Sequence, residues 1–88
     1  MRTAAEEAGM VAFLADTAVS TRDVLDFDCG LYSDSAKHID LYRQGKAGGD
    51  GSIDSEAELD SVHQVGPATI DAVYACTALL AKTRLAAG

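Results

Sequence analysis

An all-α fold is what this sequence predicts: a compact bundle of four to five helices in one small domain, residues 1–88, with a helix-turn-helix corner near Gly66-Pro67. Apolar side chains recur at helical spacing, most plainly in Ala4, Ala8, Val11, Ala15 and Ala18, which share one face of a 3.6-residue helix. Glycine and proline, with Ser, Thr and Asp beside them, cut the chain into short runs that each begin on a cap signal. No segment alternates apolar and polar residues with a period of two, and no internal repeat is legible.

The first helix is expected from about Thr3 to Val19, its small-residue stripe inviting close approach by a neighbour while Met10, Phe13 and Leu14 point to other sides. Ser20-Thr21-Arg22-Asp23 ends it and caps a short apolar segment, Val24, Leu25 and Phe27, which Cys29-Gly30 breaks. Ser33-Asp34-Ser35 is the next cap signal, ahead of Ala36, Ile39, Leu41 and Tyr42 in a helix ending near Gly45. Gly45, Gly48, Gly49 and Gly51 form a glycine-rich loop. Asp54 or Ser55 then caps about two turns carrying Ala57, Leu59 and Val62, with Glu56 and Glu58 in the first turn, where the helix dipole favours carboxylates. Pro67 suits the first position of the final helix, which continues to about Ala86 with Ile70, Val73, Tyr74, Leu80, Ala81 and Leu85 on its main buried side.

Composition sets limits on what such a bundle can do. Of 88 residues 48% are apolar, but sixteen are Ala and none is Trp, so the core is thin and extra burial at an intermolecular interface is expected. The net charge of −7 is spread over both halves, a surface that repels phosphate backbones and anionic membranes and suits a basic partner. Cys29 and Cys76 lie 47 positions apart in no metal or redox spacing and read as free thiols of a cytoplasmic protein. Glu6, Glu7 and Asp16 interrupt any signal-peptide pattern, and no apolar run approaches the ~20 residues that span a bilayer.

Residues 58–74 resemble the helix-hairpin-helix motif. Leu59 and Val62 match its first helix, Val65-Gly66 its apolar-glycine hairpin, Thr69 its threonine and Val73 a later core position. The resemblance implies a corner whose amides, around Val65, Gly66 and Ala68, hold a nucleic-acid phosphate. Three positions depart from it: Gln64 stands at the first glycine, Ala68 where a basic residue helps, and Ile70 where a small residue permits close crossing. No Lys or Arg occurs between Lys46 and Lys82, so counterion release has little to act on and direct nucleic-acid binding is not expected.

Residues 46–57 also look like an EF-hand loop, with Asp50, Gly51, Ile53 and Asp54 at the fifth, sixth, eighth and ninth places. Its first and twelfth places hold Lys46 and Ala57, which supply no carboxylate, so a solvated loop without metal is expected. No catalytic or zinc motif occurs around Cys29, His38, His63 or the aspartates, and no cofactor is expected.

The expected function is that of a noncatalytic acidic interaction module: an adaptor, an inhibitor or a small subunit of a larger assembly. Met10, Phe13, Leu14, Leu79, Leu80 and Leu85 would dock a protein partner or a second copy, with Asp50, Asp54, Glu56, Glu58 and Asp60 as an acidic rim. The alternative is a nucleic-acid-associated module, either binding through the hairpin or mimicking DNA through its acids.

Overall fold

A capping box starts helix α1 (Ala4–Ala15): the Thr3 hydroxyl accepts from the Glu6 amide at 3.1 Å, and the Glu6 carboxylate accepts from the Thr3 amide at 3.1 Å. The computed structural model describes residues 3–46 and 48–87, with side chains as far as Leu79. Helix α1 stops four residues short of the expected Val19, its chain turning at Asp16. It also presents the opposite side from the one its alanines suggested. Met10, Phe13 and Leu14 are buried, whereas Ala4, Ala8, Ala15 and Ala18 are exposed. Burial scales with apolar area, so three large side chains outweigh a longer stripe of methyl groups.

After Ser20 the Thr21 hydroxyl accepts from the Val24 amide at 3.1 Å and starts a short helical segment whose core is a π turn, Val24–Asp28. Cys29-Gly30 closes it, and α2 (Ser33–Arg43) follows. None of the serines in the expected cap signal caps α2. Ser33 instead donates to Asp26, and buried Ser35 donates to the Gln64 carbonyl at 2.7 Å. Helix α2 ends in a Schellman turn: Gly45 has a φ of +74°, its amide bonds to the Tyr42 carbonyl, and the Lys46 amide bonds to the Leu41 carbonyl.

The glycine segment is pinned rather than loose. The Gly51 amide returns to the Tyr42 carbonyl, Ile53 is buried, and a Cβ on Gly49 would run into the Tyr42 backbone. Ser55 caps α3 (Glu56–Ser61), accepting from the Glu58 amide at 3.1 Å, and Val62 ends it. A tight corner through Gln64 leads to α4 (Pro67–Ala87), which begins at the proline as expected. Among the described residues there is no strand.

Two segments of the chain follow a similar local pattern. A shift of 34 positions lays Thr21 on Ser55 as cap, Leu25 on Leu59 as fully buried core, and Gly30 on Gln64, whose φ values are +75° and +67°. It continues with Ser35 on Thr69, Ala36 on Ile70 and Ile39 on Val73, all six buried. The amide of Ala36 bonds to the carbonyl of Tyr32 as that of Ile70 does to Gly66. The two segments, one around Gly30 and one around Gln64, therefore share a local pattern, and Ser35 of the first donates to the Gln64 carbonyl of the second.

One core serves both segments and α1. Met10, Phe13 and Leu14 meet Leu25, Leu31, Ile39, Ile53, Leu59, Val62, Ile70, Val73 and Tyr74 in a single cluster, and α1 packs on α4 as its main neighbour. Arg43 fastens the end of α1: its guanidinium donates to the Leu14 carbonyl at 3.0 Å and the Ser20 hydroxyl at 2.8 Å, and pairs with Asp40 at 3.0 Å. The two cysteines are not free thiols. Cys29 and Cys76 form a disulfide, because the first hairpin and the third turn of α4 lie against one another, with a Cα separation of 5.1 Å.

Candidate functional site

Of the side chains expected to dock a partner, three are buried, one is exposed and two lie outside the described side chains. Met10, Phe13 and Leu14 are buried core residues, covered by neighbours from the rest of the bundle. Leu79 is exposed, at 58%. Leu80 and Leu85 lie outside the described side chains. Besides Leu79, the large apolar groups that stand in solvent among the described side chains are Phe27 at 77% and Tyr32 at 80%, either side of the first hairpin. Ser33 bonded to Asp26 and Leu31 bonded to Leu25 hold that loop closed, so both rings project from one tight corner. No periodicity marks them, and only their nearness to Cys29-Gly30 signals a turn.

The second hairpin has the backbone form that the resemblance implied. Gln64 adopts the left-handed conformation that the first glycine of the motif normally supplies, Val65 packs half-buried on the core, Gly66 is half-buried and Ala68 is exposed. Nothing basic accompanies it. Ala68, where the motif favours a basic residue, and Asp34, 34 positions earlier, carry no positive charge.

The acidic rim divides in two. Asp50 and Asp54 are turned to their own loop, accepting from the Ser52 amide at 3.1 Å and the Ser52 hydroxyl at 3.0 Å. Glu58 reaches back to accept from the Asp54 amide and the Tyr42 hydroxyl, each at 2.7 Å. These bonds, the backbone one first, hold the Glu58 carboxyl below its ordinary value, and the same carboxylate pushes the Tyr42 phenol up to about 12. Among the described residues, no group of three or more His, Cys, Asp or Glu is arranged to hold a metal.

Glu56 and Asp60 belong instead to a groove between α3 and α4. Together with Asp71 they edge a cavity of about 440 Å³ also lined by Ala57, Pro67 and Ile70. A smaller cleft of about 260 Å³ lies among His38, Tyr42, Gly48, Ser61, Val62 and His63. There the two imidazoles meet edge to face, centroids 4.8 Å apart, and His38 Nδ1 donates to the Asp34 carbonyl at 2.7 Å. Ser61 donates to the Glu58 carbonyl rather than to either imidazole, so this cleft contains no paired nucleophile and base. No family model, curated protein or solved structure matches this chain.

Proposed function

We propose that this chain is a noncatalytic interaction module, an acidic helical domain that docks a basic protein partner as an adaptor, an inhibitor or a small subunit of an assembly. The observation that carries this reading is the solvent exposure of Phe27 and Tyr32 on one closed hairpin. Burying a side chain of this size is worth about 1.5–3 kcal/mol, so leaving two in water beside a closed core is a cost that a partner would recover. Asp23, Asp26, Asp28 and Asp34 flank them in the sequence, which favours a cationic partner over a second acidic copy. The Cys29–Cys76 bond supports work in an oxidising compartment, in place of the cytoplasm expected from free thiols.

A photo-cross-linking amino acid at position 27 or 32, introduced in the native host, tests the reading. The expected result is one discrete adduct with a basic protein, competed by excess unlabelled chain. Absence of any adduct from either position, in a folded protein, overturns it.

The left-handed Gln64 favours a second reading, a nucleic-acid-associated module. Direct binding predicts an affinity for duplex DNA that falls steeply with salt and weakens on replacing Gly66; an acidic mimic predicts a DNA-handling partner displaced by DNA.

A further inference from the structure

His38 and His63 are carried by different elements, α2 and the corner before α4, yet both line the cleft of about 260 Å³ and their rings touch, centroids 4.8 Å apart. Their neighbours hold them there. Ser35, one turn before His38, donates at 2.7 Å to the carbonyl of Gln64, the residue after His63, and the residues beside the two histidines, Ile39 and Val62, are buried in the core. The backbones beneath both rings are therefore fixed to one another. His38 is also fixed in tautomer, since its Nδ1 gives its proton to the Asp34 carbonyl at 2.7 Å and, in the neutral ring, leaves the lone pair on Nε2. A carbonyl on the far nitrogen is the outer-shell partner that orients a metal-binding imidazole. His63 is exposed, and its bond to the Gln64 side-chain amide is long, at 3.4 Å, so its ring is able to turn.

The spacing of the rings suits a shared ion. With an ion about 2.0–2.1 Å from each nitrogen, and so about 3.2 Å from each ring centre, bond angles of about 90–109° separate the centres by about 4.5–5.2 Å. The observed 4.8 Å falls inside that interval. We propose that His38 and His63 bind one divalent transition-metal ion, of the borderline class of Zn²⁺ and Ni²⁺, clasping α2 to the second corner. Neutral imidazole suits such ions, whereas Ca²⁺ and Mg²⁺ require oxygen ligands. Water fills the remaining positions around the ion, and the cleft has room for it at about 30 Å³ a molecule. The net charge of −7 raises the local concentration of any cation. The site shares no residue with the exposed pair Phe27 and Tyr32.

Calorimetric titration of the intact oxidised chain with Zn²⁺ and with Ni²⁺ tests the site. One ion per chain is expected, with no heat from Ca²⁺ at the same concentration. His38→Ala and His63→Ala, each on a side chain outside the core, should each weaken binding by at least the about 10- to 100-fold that a lost outer-shell partner costs; circular dichroism checks that each variant folds. On the wild-type chain, proton NMR should show the ring signals of both histidines moving together as Zn²⁺ is added. Absence of heat at millimolar Zn²⁺ and Ni²⁺, a loss of less than about tenfold in either variant, movement of one ring alone, or equal affinity for Ca²⁺ would each overturn the proposal.

Discussion

Reduction of the Cys29–Cys76 bond should lower the unfolding midpoint by about 20 °C. The bond closes a loop across 47 positions, and for a loop of that length the chain-entropy relation gives about 14 cal/mol/K, or roughly 4 kcal/mol at 25 °C. An 88-residue domain unfolds with an entropy of about 185 cal/mol/K, and the ratio of the two sets the shift. Total stability for a chain this size is about 4–13 kcal/mol, so the link contributes a third of it or more. Far-UV circular dichroism melts of the oxidised chain, the chain in reductant, and a Cys29→Ala, Cys76→Ala double variant would measure it. A shift below about 8 °C in both reduced and double-variant forms would refute the reasoning, showing that the unfolded chain is already confined or that the core closes without the link.

Other perturbations follow from single side chains. Arg43→Ala leaves the Leu14 carbonyl, Ser20 and Asp40 without their donor and should cost about 3–5 kcal/mol in urea titration, far more than any exposed base in the chain. Gln64→Gly should raise stability by about 0.5–1 kcal/mol, because only glycine adopts a positive φ freely, whereas Gly30→Ala at the matching position should lower it by about 1–2 kcal/mol. The Glu58 carboxyl is held below its ordinary 4.5, so its stabilising contribution is present above that pH and lost as pH falls through the lowered value. Tyr42 is raised from 10.0 to about 12, so its share is present below pH 10 and lost as pH rises towards 12. Ultraviolet titration should show Tyr42 ionising late, and Tyr42→Phe should remove that late step and reduce the loss of stability at low pH.

Local signals were legible where one residue decides the backbone. Thr21 and Ser55 cap as their sequence neighbours indicated, and Pro67 opens the last helix. Which face of α1 turns inward was not, since that depends on the size of side chains competing for one core and on neighbours far along the chain. Arg43 reads as an ordinary C-terminal helix charge until the end of α1 is brought beside it. The likeness of the two segments is faint in the sequence because Leu25 with Leu59 and Asp26 with Asp60 are the identical pairs in the hairpin region, and the two left-handed corners use different residues, Gly30 and Gln64. What the segments share is a pattern of caps, burial and backbone angle. The groove was half visible: Glu56 and Asp60 stood out as acids, but only the crossing of α3 over α4 adds Asp71 and the lining beneath.

The covalent ring drawn by Cys29 and Cys76 encloses every residue from 30 to 75, the glycine segment included. A protease that clips anywhere inside that ring makes two pieces which still travel as one molecule, and which part only when a thiol is added. Mass alone would not reveal such a nick beyond one added water. A single cut inside the ring therefore leaves both hairpins on one covalently joined molecule for as long as the bond stays oxidised.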